Sequence, residues 1–363
     1  MIYVSNPLEQ VKAYESKINR SIKKVIKSGV FINGSETKLL KKEFSDYLGI
    51  KYCHSVANGT DALIISLKAL GIGKGDEVIT PSHTAVATVS AILMVGASPV
   101  FIDIDKTYYT MDENLIEKKI SKKVKAIIAV HIYGNPCNIE KIIEIGKSFN
   151  VPVIEDCAQA VGSMYQNKKI GTFGMISTFS FYPTKNLSAL GDAGMICTNN
   201  KSLYLLIQKI SQYGWDYKRN SMIPGLNSRM DEIQAAILRI KLQKLDRDNN
   251  RRNNIAKYYN KHLSTLPIML PKIRKDSFHS FHLYVIQTSK RKKLIEYMQK
   301  RKIFLAIHYP IPVHKQSLFK HNKKLKLEVT EFLQKRIVSL PLYPELNNNN
   351  IKKIVKELNL FYS

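Results

Sequence analysis

Lys185 is the residue whose surroundings in the sequence point most clearly to chemistry. It lies in FSFYPTKNL (179–187), where aromatic, apolar and hydroxyl side chains are its neighbours along the chain. A lysine held in such an environment can have a lowered pKa, and its neutral amine attacks an aldehyde to form a Schiff base. The chain contains 56 Lys and Arg residues, however, so a lone lysine is more often a surface residue. Lys185 needs chemical partners before it indicates a site.

Asp156 is the first such partner. It ends the apolar run in VIEDCAQA (153–160), and a carboxylate at a buried strand end is costly unless it faces a cation or several hydrogen-bond donors. Gln159 follows three residues later and can reach the same ligand. A purely structural hydrogen-bond network at the strand end explains Asp156 equally well.

A phosphate site is suggested by the tetrapeptide Asn58-Gly59-Thr60-Asp61, which precedes the apolar run ALIISLKAL. A Gly-Thr pair at a helix start offers free backbone N–H groups, a hydroxyl and the positive end of the helix dipole. Simple N-capping is the better explanation for this tetrapeptide taken alone.

The four features together match one cofactor. Pyridoxal phosphate needs a lysine for its aldehyde, a carboxylate for its pyridine nitrogen, a phosphate cradle and a flat group against its ring. The residues that would meet these needs are, in that order, Lys185, Asp156, Gly59 and Thr60 with Ser180, and His83. His83 alone is more often a structural histidine, but the combination predicts a pyridoxal-phosphate enzyme.

The elements that would position these residues are those of an α/β protein. Short β-branched runs alternate with amphipathic segments, at 76–80, 99–104, 124–132, 151–156, 176–181 and 193–198. Strands this apolar are buried on both faces, which predicts a largely parallel sheet with helices on either side. Ligands of such sheets bind at the carboxyl ends of the strands, where His83, Asp156 and Ser180 lie in this sequence.

A second, smaller domain is predicted at the C-terminus. An apolar-periodic pattern starts near Met230 and continues through RRNNIAKYYNKHL, which predicts a long helix that leaves the first domain. FHLYVIQT, KIFLAIHY and VSLPLY are predicted as strands of the second. We therefore expect a large domain over residues 1–240 and a small α/β domain over residues 241–363.

Composition excludes several classes of protein. No stretch approaches the roughly 18 consecutive apolar residues of a membrane span, and the N-terminus lacks the layout of a signal peptide, so we expect a cytoplasmic protein. The net charge of +27 is spread along helices and turns, which argues against nucleic acid as partner. Cys53, Cys137, Cys157 and Cys197 are scattered, so we expect buried reduced thiols and no metal site.

The sequence resembles the sugar-nucleotide aminotransferases of the DegT/StrS type, within the fold-type I pyridoxal-phosphate enzymes. The resemblance covers nearly the whole chain in order. The segments that carry it are NGTDAL (58–63), TPSHTAVAT (80–88), HIYGNP (131–136), IEDCAQAVG (154–162), FSFYPTKNL (179–187), GDAGM (191–195) and GLNSRMDEIQAAIL (225–238). It implies a mostly parallel sheet of the seven-stranded type, flanked by helices, and a smaller C-terminal α/β domain.

The resemblance also implies a role for each matching position. Lys185 would bind the cofactor's aldehyde, Asp156 would face the pyridine nitrogen, and Gln159 would lie near the ring hydroxyl. The remaining roles are the phosphate contacts of Gly59, Thr60 and Ser180, the stacking of His83 on the ring, and a contact of Asn227 with the phosphate of the neighbouring subunit. That last role implies a homodimer with shared active sites.

The resemblance also implies a substrate class, through Lys185 and one further segment. Relatives that remove a sugar 3-hydroxyl carry histidine in place of the lysine, so Lys185 argues against that dehydratase chemistry. IHYPIPVHKQ (307–316) resembles the subgroup that aminates a 3-keto-6-deoxyhexose on a dTDP carrier, with L-glutamate as amino donor, for deoxyamino sugars of surface glycans such as lipopolysaccharide O-antigen. Tyr182, His308 and Tyr309 would then face the hexose. A strand end packed at the domain interface explains His308 and Tyr309 equally well.

Two other functions stay open at this point. One is amination at C4 of a UDP-linked keto-sugar, which the IHYPIP segment disfavours. The other belongs to a different class, a non-catalytic basic regulator or binding protein that keeps the fold. Loss of catalysis would leave Lys185 and Asp156 free to change, and both are present.

Overall fold

The computed structural model describes residues 1–319 and 325–363 of the chain. Within these ranges the strands are, in chain order, β1 (Tyr52–Val56), β2 (Glu77–Pro81), β3 (Ser98–Ile102), β4 (Val124–Val130), β5 (Val153–Asp156), β6 (Met164–Tyr165), β7 (Lys168–Lys169), β8 (Ile176–Ser180), β9 (Gly194–Thr198), β10 (Ser277–Phe278), β11 (Tyr284–Gln287) and β12 (Ile337–Leu340).

The helices surround these strands. In the same described ranges they are α1 (Pro7–Ser28), α2 (Ser35–Leu48), α3 (Gly59–Ala69), α4 (Val86–Met94), α5 (Ile139–Ser148), α6 (Lys201–Ile210), α7 (Glu232–Leu242), α8 (Leu245–Leu263), α9 (Arg291–Lys300), α10 (Glu328–Gln334) and α11 (Asn348–Tyr362). None of the helices in the described residues is long and apolar enough to cross a membrane.

Seven of the strands in the described residues form the central sheet, in the order β1-β9-β8-β5-β4-β2-β3. The pairs β2–β3, β2–β4, β4–β5 and β5–β8 are parallel, and β9 is antiparallel to both of its neighbours. The predicted α/β class with a largely parallel sheet is confirmed. Strands β2, β5 and β8 end at the same edge of the sheet because they run parallel, and the start of α3 packs against the end of β8.

Two large hydrophobic clusters of the described residues, here called the first and second core, both include residues of α8. The first is built around the sheet, α2 and α7 and includes Leu40, Phe179 and Leu238. The second includes Tyr259 and Tyr284 and packs β11 and β12 against α8, α9 and α11. Because α8 starts in the first core and ends in the second, side chains along it contact both halves of the molecule.

Two expectations for the chain after Met230 differ from the structure. The long helix predicted from Met230 is interrupted at 243–244, where α7 ends and α8 begins. The strand predicted for KIFLAIHY is wrong, since this segment forms only isolated bridges, from Ile303 to Ile2 and from Ala306 to Ser339. An apolar run produces a strand only where a partner backbone lies alongside it for several residues, and here the pairing is limited to single positions.

Candidate active site

The start of α3 and the end of β8 form a cradle suited to an anion. The side chain of Asn58 caps α3 by accepting from the Asp61 N–H at 2.8 Å. The Gly59 and Thr60 N–H groups precede the first intrahelical carbonyl partner and are free for a ligand. A Cβ on Gly59 would lie 2.7 Å from the Ser180 Cβ, so only glycine allows these two elements to approach this closely. Capping and anion binding are therefore compatible at this helix start.

The GLNSR segment packs beside this cradle. Ser228 is buried, donates to the Asp61 carboxylate at 2.6 Å, and accepts from the Ala57 N–H at 3.1 Å. Its neighbour Asn227 is exposed and pairs with Gln212 in an isolated bridge. The contact of Asn227 with a second subunit stays a prediction.

Asp156 ends β5 as a buried carboxylate. One of its oxygens accepts from the Thr88 hydroxyl at 2.8 Å and the other from the Ala158 N–H at 3.2 Å. Thr88 lies on α4 and is hydrogen-bonded in turn to Thr84 at 2.9 Å. These bonds fix the orientation of the Asp156 carboxylate at the strand edge.

Lys185 lies in the loop between β8 and β9, where its N–H donates to the Tyr182 carbonyl at 2.8 Å. Burial lowers the pKa of the Lys185 ammonium to about 8, and the Asp156 carboxylate opposes this shift. A substantial share of Lys185 is consequently a neutral amine near pH 8, the form that attacks an aldehyde.

Tyr133 connects several of the predicted residues and was missed by the sequence analysis. Its N–H donates to Gln159 Oε1 at 2.6 Å, and its hydroxyl is hydrogen-bonded to His83 Nε2 at 2.7 Å and donates to the His308 carbonyl. Because the Tyr133 proton is directed to His308, His83 Nε2 is the donor in their hydrogen bond. Burial lowers the pKa of His83 to about 4, so its imidazole is neutral.

The backbone of Tyr133 is itself unusual. Its φ of +61° lies in the left-handed region, which a bulky residue adopts only where its surroundings enforce it. The residue stands in HIYGNP, so the segment was recognised, but nothing in its spacing reveals the backbone conformation or the partner at His308.

His308 and Tyr309 connect strand β12 with the segment of Gln159, beside the residues predicted to bind the cofactor. His308 Nδ1 is 2.9 Å from the hydroxyl of Ser339 on β12, and Tyr309 accepts from Gln159 Nε2 at 2.8 Å. Burial, together with the charge of Lys185, lowers the pKa of His308 to about 4. The two explanations left open for this pair are therefore compatible. Tyr182, the third predicted sugar contact, is exposed.

Glu155, beside Asp156, serves the fold. Its carboxylate accepts from the Gly171, Phe173 and Gly174 N–H groups at 2.7–2.9 Å and from His131 at 3.2 Å. His131 and Glu155 lie close to Cys157 in an arrangement that could hold a metal ion. Because the Glu155 oxygens are already occupied by these donors, we interpret the group as a structural network that holds the loop after β7.

The residues present fit pyridoxal phosphate. The structure combines an amine of lowered pKa, an oriented buried carboxylate near it, and a helix start whose Gly59 position excludes a side chain. These groups match the cofactor's aldehyde, ring nitrogen and phosphate in type and sign.

Comparison with known proteins gives concordant results. Residues 12–359 match the DegT/DnrJ/EryC1/StrS aminotransferase family. A relative from Aneurinibacillus thermoaerophilus, named dTDP-3-amino-3,6-dideoxy-alpha-D-galactopyranose transaminase, is 42% identical over 348 residues, covering 96% of each chain. A relative from Acidithiobacillus ferrooxidans, named UDP-N-acetyl-3-dehydro-alpha-D-glucosamine 3-aminotransferase, is 38% identical over 353 residues, covering 96% of this chain and 95% of the relative.

A solved structure agrees closely with the fold. The X-ray crystal structure of S. venezuelae DesV in complex with a ketimine intermediate matches with a TM-score of 0.97 at 33% identity, covering 100% of this chain and 98% of the other. The predicted enzyme class and cofactor are confirmed together with the fold. The chain belongs to the DegT/DnrJ/EryC1/StrS family, whose members are pyridoxal-phosphate-dependent aminotransferases of nucleotide-linked sugars.

Proposed function

We propose that this enzyme transfers an amino group from L-glutamate to C3 of a dTDP-linked 3-keto-6-deoxyhexose. The observation that carries this proposal is the Lys185 amine of lowered pKa near the oriented Asp156 carboxylate, in a family of sugar aminotransferases. Both relatives described above are named for amination at C3, and the more similar of them is named for a dTDP sugar. The product would be a deoxyamino sugar for a surface glycan such as lipopolysaccharide O-antigen.

Each residue of the site has a defined task in this reaction. When bound, pyridoxal phosphate supplies an aldehyde that accepts amino groups and a ring that spreads negative charge. In the first half of the reaction the Lys185 Nζ would take the proton from Cα of the donor and deliver it to the cofactor. In the second half it would move a proton in the opposite direction, to C3 of the sugar, so that the amine ends each half in the protonation state in which it began. Asp156 would accept a hydrogen bond from the protonated ring nitrogen, and its Thr88 partner keeps one carboxylate oxygen in place.

The other residues bind and orient. Gly59, Thr60 and Ser180 would hold the phosphate, Gln159 would serve the ring hydroxyl, and neutral His83 would supply the flat group for the ring. A neutral imidazole in that place adds no positive charge that would compete with the ring nitrogen for Asp156.

The sugar and the second subunit complete the site. Tyr182, His308 and Tyr309 contact the hexose, and Asn227 reaches the phosphate bound by the partner in a cytoplasmic homodimer with shared active sites. The exposure of Tyr182 and Asn227 supports both contacts, since each side chain is open to a ligand or to a second copy.

The test compares substrates side by side. The purified enzyme is incubated with glutamate and with dTDP- or UDP-linked 3-keto and 4-keto hexoses, and the products are identified by mass spectrometry. We expect an amino sugar from the dTDP-linked 3-keto-6-deoxyhexose. Amination of a UDP-linked 4-keto sugar alone would contradict the proposed substrate, and an absence of amination with every sugar would favour a binding or regulatory protein.

A further inference from the structure

Asn186, the residue after Lys185, is held by three hydrogen bonds that tie the Lys185 loop to the other half of the molecule. Its Nδ2 donates to Oδ1 of Asn249 on α8 at 2.8 Å and to the Ser280 carbonyl at 2.9 Å. Its Oδ1 lies 3.3 Å from Nδ1 of His282. All four residues are buried, so these bonds are shielded from water.

The orientation of the Asn186 amide follows from its partners. The Ser280 carbonyl can only accept, so it must face the NH₂ group of Asn186. The oxygen of Asn186 then faces His282, whose Nδ1 must carry the proton. Asn249 uses its own NH₂ group to donate to the Val161 carbonyl at 3.0 Å, which leaves its oxygen for Asn186. Asn186 is therefore fully matched, with two donated bonds and one accepted bond.

Asn249 extends this linkage to the opposite side of the site. A Cβ on Gly162 would lie 2.5 Å from the Asn249 NH₂ group, so the chain after Gln159 packs directly on Asn249. The side chain of Asn249 on α8 therefore contacts both the Lys185 loop and the segment that follows Gln159.

The pKa of Lys185 depends on where its amine lies, because burial lowers it and the Asp156 carboxylate raises it. Titratable and charged groups near this loop lie on several elements: Asp156, His282, His308, Arg252 and Glu345. Burial, with the charges of Lys185 and Arg252, holds the pKa of His282 well below its usual range. His282 is therefore neutral, in agreement with the single Nδ1 proton that Asn186 requires. Asp156 is then the acidic group that opposes the burial of the Lys185 ammonium.

We propose that Asn186 is a positioning residue for the aminotransferase reaction. Its amide holds the Lys185 loop against α8 and the Ser280–His282 segment, and in this way fixes the Lys185 amine in its buried place near Asp156. The proposal rests on the role given to Lys185 above. It adds that the hydrogen bonds of Asn186 to Asn249 and His282 connect the position of the Lys185 amine to the packing of the C-terminal half of the chain.

The test measures the amine directly rather than turnover. The rate at which cofactor-free protein takes up pyridoxal phosphate is followed by absorbance between pH 6 and 10 (about two units either side of the amine midpoint). In the wild type the rate rises with a midpoint near the Lys185 pKa, about 8. In Asn186→Ala we expect the midpoint to rise by about half a unit or more and the plateau rate to fall about tenfold, because the loosened loop admits water to the amine.

Asn253→Ala is the matched control. The Asn253 side chain also joins α8 to a neighbouring segment, donating to the Asn249 carbonyl at 3.1 Å and the His279 carbonyl at 2.8 Å, but among the described residues it has no hydrogen bond to the Lys185 loop. We expect it to lower the melting temperature as Asn186→Ala does, with the pH midpoint of uptake unchanged. Asn186→Asp, which keeps the side-chain shape, provides a second variant, and its added carboxylate should raise the midpoint further.

The outcomes separate the two proposals. Midpoints of Asn186→Ala and Asn186→Asp that both stay at the wild-type value would overturn the positioning role, as would an equal shift in Asn253→Ala. If Asn186→Ala does not fold, the plateau rate of Asn186→Asp decides, because the lost donors should loosen the loop and lower that rate about tenfold, and a plateau rate equal to that of the wild type would overturn the positioning role. A wild-type protein that takes up no pyridoxal phosphate would overturn the proposed function itself.

Discussion

Replacing Gly59 by alanine should weaken the binding of the cofactor's phosphate specifically. The added Cβ would lie 2.7 Å from the Ser180 Cβ and 3.3 Å from its Cα, closer than carbon atoms pack, so α3 and β8 must move apart. Overpacking of this kind costs about 1 to 3 kcal/mol. Because the strain is relieved by displacing the helix start that faces the phosphate, we expect the dissociation constant for pyridoxal phosphate to rise about 5- to 100-fold.

The assay compares two ligands by absorbance titration. Pyridoxal has the same aldehyde and ring as pyridoxal phosphate but no phosphate, so Gly59→Ala should change its binding far less. Gly73→Ala is the matched control, because a Cβ on Gly73 would have the Val95 carbonyl at 3.7 Å as its nearest described neighbour. Unchanged affinity for pyridoxal phosphate in Gly59→Ala, or an equal loss for both ligands, would refute the assignment of this helix start as the phosphate cradle.

Three further changes test other parts of the site. Thr88→Val removes a hydrogen-bond donor to the Asp156 carboxylate. A hydrogen bond to a charged group contributes about 1.5 to 3 kcal/mol, so kcat with glutamate should fall about 10- to 100-fold. An unchanged kcat would show that the orientation of Asp156 does not depend on this bond. Asp156→Asn removes the charge that raises the Lys185 pKa, so the midpoint of cofactor uptake should move below about 8, and a rise would contradict this electrostatic effect of Asp156 on Lys185. Glu155→Ala leaves several buried donors unpaired and should lower the free energy of unfolding by about 3 to 5 kcal/mol in urea titrations.

The sequence predicted the central sheet well because its strands are buried on both faces. The runs at 76–80, 99–104 and 176–181 each match an observed strand to within about two residues, the usual uncertainty of such boundaries. Strand β1 (Tyr52–Val56) was not predicted, since YCHSV is short and carries a histidine and a serine. The interruption before α8 was also missed, because the apolar period of the helix continues through it.

The roles of residues that act through contacts distant in sequence could not be predicted from the sequence. Tyr133 reaches His308, which is 175 positions away along the chain, and Asn186 reaches His282, 96 positions away. Residue type and local spacing carry no information about such pairs. Lys185 and Asp156 were accessible because their chemistry is unusual for the apolar and hydroxyl-rich segments in which they stand.

The most direct test of the account is to locate the lysine that binds the cofactor. The protein is loaded with pyridoxal phosphate, treated with borohydride to fix the bond, digested and mapped by mass spectrometry. The account predicts a single pyridoxyl label, on Lys185, and loss of the label in Lys185→Ala. A label on another lysine, or one that persists in Lys185→Ala, would contradict it.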